Sequence, residues 1–283
     1  MAGAIRVRTL TAADVPWAIA LTDTESWGYT ARDFERLLYL EPEGVFLAEA
    51  DGERVGITAT TTYGTLAYIG AVIVDPRWRG RHAGDALMHA ALDFLDTRGV
   101  ASARLNAYLN VIPFYERLGF RTEFENHRYA GRSEGRVAPG VRLGRADDLA
   151  AMAELDRRYF GADRTRLLRR LLEEFPATSL AFDDAGEVLA YAFANPGGDA
   201  CEIGPFVCDP ARPTEAEALL HAMFAAANTP CAFSVPAPNA TGVEIARRAG
   251  FRETFRTVRM VRGSSGSGGD PRGIFGLAGL EKG

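Results

Sequence analysis

The chain has 283 residues, 47% of them hydrophobic and 24% charged, with a formal net charge of −5. That length allows one large domain or two of ordinary size, and the acidic balance argues against a nucleic-acid-binding surface. Apolar runs are too short to span a membrane, and MAGAIRVRTLTAADV meets polar residues too early for a secretory signal, so a cytoplasmic protein is expected.

From the N-terminus, IRVRTLTAADVPWAIALTD at Ile5 reads as a short strand, a Thr-Ala-Ala-Asp helix start and apolar residues at helical spacing. VFLAEADGERVGITAT from Val45 reads as strand, turn at Asp51-Gly52, strand. IGAVIVDP, Ile69 to Pro76, is an apolar strand stopped by Asp-Pro, because proline cannot continue a central ladder. The loop RWRGRHAG and an apolar helix through ALMHAAL follow. NAYLNVIPFYERLGF from Asn106 ends as a helix capped at Gly119. GRSEGRVAPG, Gly131 to Gly140, has the composition of an inter-domain connection.

The pattern then starts over. VRLGRADDLAAMAELD from Val141 matches the opening segment, and SLAFDDAGEVLAYAFA from Ser179 matches the hairpin, with Ala185-Gly186 at its turn. IGPFVCDP, Ile203 to Pro210, aligns without a gap on IGAVIVDP. ALLHAMF from Ala218 matches ALMHAAL, and ARRAGF from Ala246 matches YERLGF from Tyr115. Matches in this fixed order mark a tandem duplication. The expected fold is therefore α+β in two copies, each a mostly antiparallel mixed sheet flanked by helices: residues 1–133, a linker at 134–140, and residues 141–283. GSSGSGGDPRG, Gly263 to Gly273, lies between strand-like FRETFRTVRMVR and IFGLAGLEKG, and reads as a long mobile hairpin loop.

Few residue types point to chemistry. Cys201, Cys208 and Cys231 lack Cys-x-x-Cys spacing and fit reduced, buried thiols. His82, His89, His127 and His221 form no metal-ligand spacing, so no metal is expected. Lys282 is the single lysine among 32 basic residues, a bias ascribed to genome composition that makes any one arginine weak evidence for anion binding.

The strand-to-helix turn DPRWRGRHAGDALMHAALDFL is the informative exception. Such a turn leaves backbone N–H groups without partners, and with the positive end of the helix dipole they form an anion cradle. Its glycines let backbone approach a diphosphate closely; Arg79 and Arg81 add charge at its rim. Downstream stand Asn110, Tyr115 and Gly119-Phe120. Together Val74, Pro76, Arg79, Gly80, Gly84, Asn110, Tyr115, Gly119 and Phe120 resemble the pattern of the GNAT superfamily of acetyl-CoA-dependent N-acyltransferases, V-x-P-x-x-R-G-x-G-x-G/A and then N-x-x-x-x-x-Y-x-x-x-G-F, with Asn110 standing one residue nearer to Tyr115 than in that pattern. The whole chain resembles bacterial tandem members of that superfamily. His82 departs from the pattern, standing where glycine is usual; only a backbone N–H is needed there, so a non-glycine residue is acceptable if φ stays negative.

The resemblance implies acetyl-CoA, or another short acyl-CoA, as co-substrate. Val72, Ile73 and Val74 would pair main-chain groups with the pantetheine amides, and Arg79, Gly80, Arg81, His82, Ala83 and Gly84 would hold the diphosphate. Asn110 would bond the pantetheine arm, and Tyr115 would protonate the departing thiolate as general acid. A core aromatic is the other reading of Tyr115. No general base is evident. Asp75 is read as a structural cap because Asp209 repeats it, which leaves Glu25, in the region covering the acceptor side, or a water chain. Trp27, Tyr29 and Tyr63 are read either as acceptor-pocket aromatics or as packing.

The second copy reads ARPTEAE where the first has RWRGRHAG, with Glu215 and Glu217 where a diphosphate needs positive potential, and Ala246 aligns with Tyr115. Asn239 is read as a turn residue. The second copy is therefore expected to be degenerate, stabilising the first and shaping its acceptor pocket. The resemblance implies an N-acetyltransferase whose acceptor is the amine of a small metabolite, an antibiotic-like polyamine or a protein; the acidic net charge favours a small cationic amine by steering. Neither nucleic acid nor membrane is expected as a partner, and a non-catalytic acyl-CoA-binding regulator is the alternative.

Overall fold

The computed structural model describes residues 4–197, 200–264 and 269–283. The chain divides into two compact units, Met1–Leu105 with Lys282, and Asn106–Glu281 with Gly283.

The first unit contains β1 (Arg6–Thr9), α1 (Val15–Asp23), α2 (Ala31–Leu40), β2 (Val45–Ala50), β3 (Glu53–Tyr63), β4 (Leu66–Val74), α3 (Ala83–Thr97) and the start of β5 (Ser102–Tyr108). Its sheet runs β1-β2-β3-β4-β5, antiparallel except for the parallel β4–β5 pair. Alternation along β3 sends Ile57 and Ala59 to one face, where Phe34 and Leu37 of α2 and Ala18 and Leu21 of α1 close a core. Gly56, on the opposite face and just before Ile57, lies against α3: a Cβ there would lie 3.0 Å from the Leu87 side chain and 2.7 Å from the Ile73 carbonyl. Helices thus cover both faces of the sheet. Burying Phe34 or Leu37 completely contributes about 1.5–3 kcal/mol each. At the start of α2, Thr30 and Asp33 form a capping box, with the Asp33 carboxylate accepting from the Thr30 N–H at 2.9 Å.

The second unit contains α4 (Ile112–Arg117), β6 (Arg121–Gly131), β7 (Val141–Leu143), α5 (Leu149–Phe160), α6 (Thr165–Glu174), β8 (Ser179–Asp184), β9 (Glu187–Asn195), β10 (Cys201–Cys208), α7 (Pro213–Ala227), β11 (Cys231–Pro236), α8 (Ala240–Arg248), β12 (Arg252–Gly263) and β13 (Ile274–Gly276). Its strand order is β12-β6-β11-β10-β9-β8-β7, with β13 paired to β10. Here β10–β11 is the parallel pair, and α7 buries Leu219, Leu220, Met223 and Phe224 into a core with Phe233, Phe251 and Phe206.

Element order repeats from β1–α1–α2–β2–β3–β4–α3–β5–α4–β6 to β7–α5–α6–β8–β9–β10–α7–β11–α8–β12. The repetition reaches side chains. Arg8 holds Asp14 at 2.7 Å and Glu49 at 2.9 Å, and Arg142 holds Asp148 at 2.6 Å and Asp183 at 2.8 Å. Both hairpin turns have two consecutive residues of positive φ, Asp51-Gly52 and Ala185-Gly186. Both copies interrupt the next strand at the same place: Gly70-Ala71, with Ala71 at φ +49°, and Gly204-Pro205, joined by a cis peptide.

Two relationships were not anticipated. β6, the last strand of the first repeat, lies between β11 and β12 of the second, paired from Cys231↔Gly131 to Pro236↔Asn126 on one side and from Arg252↔Ala130 to Val261↔Arg121 on the other. β13 does not form a hairpin with β12, contrary to the expectation from sequence; it pairs antiparallel with β10. Of the Gly/Ser stretch between them, residues 265–268 lie outside the described residues.

Candidate functional site

In the first unit, the β4–β5 ladder comprises Leu66↔Ser102, Ala67↔Ala103 and Tyr68↔Arg104, and β4 runs on to Val74 beyond it. On that continuation Ala71 forms a bulge opposite Thr58, whose hydroxyl donates to the Gly70 carbonyl at 3.1 Å. Ile73 is buried in the core, while Val72 and Val74 are half-buried on the other face. The edge from Ile69 to Val74 has no β5 partner among the described residues.

Asp75 ends the strand as a cap. Its carboxylate accepts from the Arg77 N–H at 2.9 Å and from the Arg77 guanidinium, which holds it below the usual carboxylate range. Asp209 caps the second copy likewise, accepting from the Ala211 N–H at 2.8 Å. Arg79 donates from Nε to the Val74 carbonyl at 3.1 Å and from Nη2 to Glu25, so two residues singled out separately form one ion pair. The Arg81 guanidinium lies 5.2 Å from the Trp78 ring centroid and makes no ion pair among the described residues.

Gly80 has φ +73°, and a Cβ there would meet nothing within 4 Å. His82 also takes the left-handed region, at φ +67° and ψ 9°, so the negative φ on which a non-glycine residue was to be acceptable there is not what the turn adopts. Histidine is among the few non-glycine residues enriched there. Its Nδ1 lies 3.2 Å from an Asp85 carboxylate oxygen. α3 starts at Ala83 without a side-chain cap, and its first turn closes with the Ala86 N–H on the His82 carbonyl at 3.0 Å. The N–H groups of Ala83, Gly84 and Asp85 thus have no intrahelical acceptor. An open, glycine-lined turn before an uncapped helix suits a diphosphate.

In the second unit, Asn110 is exposed on a single 3₁₀ turn, Leu109–Val111, that leads into α4. Tyr115 is 8% exposed, with ring centroids 5.0 Å from Phe114 and 6.1 Å from Phe120. Burial pushes its phenol well above the ordinary value, so the hydroxyl stays protonated through the neutral range. The helix ends at Gly119, φ +86°, where the left-handed turn needs a residue without Cβ.

The second copy lacks these features. α7 begins with Pro213, which removes a donor, and carries Glu215 in its first turn, paired with Arg212 at 3.2 Å. Glu217 is engaged by Arg248 at 3.0 Å. Ala246 is fully buried in the position of Tyr115. Asn239 is more than the turn residue expected: it caps α8, accepting from the Gly242 N–H at 2.8 Å, and its amide donates to the Ile274 carbonyl at 2.9 Å. Sequence reasoning missed Ala71. The Gly-Pro in the middle of β10 was the available signal, since proline inside a strand marks an irregularity that the gapless repeat carries back to β4.

Two family models match, the GNAT acetyltransferase family over residues 15–120 and a GNAT acetyltransferase domain over residues 152–276. The chain belongs to the GNAT superfamily, as a tandem acyl-transferring enzyme. It is 27% identical over 276 residues to holothin acyltransferase of Pseudoalteromonas sp. (strain SANK 73390), an alignment covering 94% of this chain and 89% of that protein. In fold it resembles a candidate acetyltransferase from Pyrococcus horikoshii, with a TM-score of 0.84 and 22% identity over 99% of this chain and 96% of that one. A tandem GNAT protein from the clavulanic acid biosynthesis pathway matches with a TM-score of 0.62 and 15% identity, over 92% and 98% of the two chains. The superfamily uses an acyl-CoA co-substrate. Among the described residues no helix is long and apolar enough to cross a membrane, and no cluster of three His, Cys, Asp or Glu side chains could hold a metal.

Proposed function

We propose that this enzyme moves an acetyl or similarly short acyl group from its CoA thioester to a primary amine of a small molecule. The observation that carries the reading is the uncapped start of α3, behind a turn with Gly80 and His82 both at positive φ. Its free N–H groups and Arg81 suit the diphosphate, and the open edge of β4 at Val72, Ile73 and Val74 suits the amides of the pantetheine arm. Arg79 stands at the rim, where Glu25 offsets part of its charge, and Asn110 bonds the arm.

The amine attacks the thioester carbonyl, the C–S bond breaks, and Tyr115 gives its phenolic proton to the departing thiolate. A phenol carries its proton throughout the neutral range, so Tyr115 enters the reaction as a donor. The amine's proton passes to Glu25 or to water. A small-molecule acceptor is favoured by the name of the holothin acyltransferase to which the chain is similar along nearly its whole length. The net charge of −5 favours a cationic amine.

Free CoA release, measured with acetyl-CoA and a panel of primary amines for wild type and Tyr115→Phe, tests the reading. Amine-dependent release that the substitution removes is the expected result. Tight acetyl-CoA binding without transfer to any amine would replace it with a regulatory acyl-CoA-binding role, which the engagement of Glu25 by Arg79 favours.

A further inference from the structure

In the second unit the parallel β10–β11 ladder comprises Cys201↔Cys231 and Glu202↔Ala232, after which the strands part. Facing edges of diverging strands carry main-chain N–H and C=O groups that need partners when buried. The chain supplies them from its own β13. Phe206 pairs with Gly276 and Val207 with Ile274 on the β10 side, and the Leu277 N–H donates to the Ser234 carbonyl of β11 at 3.0 Å. Phe275 is 2% exposed, its ring centroid 5.2 Å from that of Phe206. The approach is close enough that a Cβ on Gly204 would lie 1.7 Å from the Leu277 carbonyl oxygen.

This gap is the counterpart, by the repeat, of the β4 edge beyond Tyr68↔Arg104. Asn239, 1% exposed at the start of α8, gives its amide to the Ile274 carbonyl, which is what Asn110, at the approach to α4, is proposed to give to a pantetheine amide.

We propose that β13 with Leu277 is a permanent occupant of the second copy's strand gap, a peptide standing in for an acyl-CoA arm, so that the chain takes one acyl-CoA and takes it in the first copy. The count of one rests on the acyl-CoA reading above; occupancy of the gap by β13 does not.

Hydrogen exchange of the full chain, with and without saturating acetyl-CoA, read together with calorimetric stoichiometry, tests both parts. The expected result is slow exchange over residues 274–278, matching β10 and β11 and unchanged by acetyl-CoA, protection gained only in the first copy, around residues 72–84 and 109–116, and one equivalent bound. Asn239→Ser, which keeps an acceptor for the Gly242 N–H, is expected to speed exchange at 274–278 about tenfold and to leave residues 240–248 unchanged. Fast exchange at 274–278 in wild type, loosening there on adding acetyl-CoA, or a second equivalent would overturn the proposal. Slow exchange at 274–278 with no protection at 72–84 would instead reject the acyl-CoA reading and keep the occupant.

Discussion

Tyr115 and Ala246 accept the same capping hydrogen bond: the Phe120 N–H meets the Tyr115 carbonyl, and the Phe251 N–H the Ala246 carbonyl, each at 3.1 Å. The two helix ends superimpose in logic, with Gly119 and Gly250 both at positive φ, yet one copy presents a phenol and the other a methyl group. Since the backbone of this turn tolerates alanine in the second copy, the Tyr115 side chain is separable from the fold. Tyr115→Phe keeps the ring packing against Phe114 and Phe120 and is expected to lower kcat by about 10²–10⁴-fold with little change in acetyl-CoA affinity. Steady-state kinetics with isothermal titration checks it; an unchanged kcat would remove the general acid.

Glu25 and Arg79 are both partly exposed, so their ion pair is expected to couple weakly. A double-mutant cycle of Glu25→Gln and Arg79→Gln, read in kcat/KM, should give a coupling energy below about 1 kcal/mol. A Glu25→Gln loss of several hundredfold confined to kcat would instead make Glu25 the base.

Arg81 has no carboxylate partner among the described residues, unlike Arg77 and Arg79. Arg81→Ala is expected to raise KM for acetyl-CoA about 10- to 100-fold with kcat unchanged, a charge-assisted contact being worth about 1.5–3 kcal/mol. The effect should shrink with added salt. A fall in kcat alone would place Arg81 elsewhere in the reaction.

His82 occupies a left-handed conformation with its side chain 87% exposed. Its backbone strain therefore outweighs what its side chain contributes. His82→Gly should raise stability by about 0.5–1 kcal/mol and Tm by roughly 1–3 °C in a thermal melt. A lower Tm would mean that the Asp85 contact matters more.

Asp14 is held well below the usual carboxylate range, chiefly by its hydrogen bonds from Arg8, with further bonds from Thr11. A carboxyl depressed in the folded state contributes stability that is complete above the unfolded-state value, about pH 4, and is lost as pH falls through the folded one. Asp14→Asn should therefore cost about 1–3 kcal/mol at pH 7, and the difference should narrow below about pH 4. Urea unfolding of both proteins across pH 3–7 measures this; a constant gap would contradict it.

The duplication was legible because apolar strands ending in Asp-Pro and helices ending in Gly-Phe are local patterns, and IGAVIVDP against IGPFVCDP needs no partner to be seen. The diphosphate turn was legible for the same reason. What sequence did not reveal is non-local. The seat of β6 between β11 and β12 depends on register across a hundred residues, which alternation of side chains cannot specify. The pairing of β13 with β10 was hidden because a short strand after a Gly/Ser stretch looks like the second arm of a hairpin. The Arg79–Glu25 pair joins a helix-following loop to a strand-following one, and neither segment carries a mark of the other. The left-handed backbone of His82 was missed by asking which backbone suits a side chain rather than which backbone the turn imposes.

The position of β6 also sets a clock on biosynthesis. β6 is complete at Gly131, but its neighbour β11 begins at Cys231. At roughly 5–20 residues per second, the ribosome leaves β6 waiting about 5–20 s with both edges unpaired, which is the interval in which an open strand recruits the wrong partner. Arg128, Glu123 and Glu125 place charged side chains along that strand. The first repeat thus leaves the ribosome as a debtor to sequence not yet translated, and gene fragments cut at the repeat boundary inherit that open edge permanently.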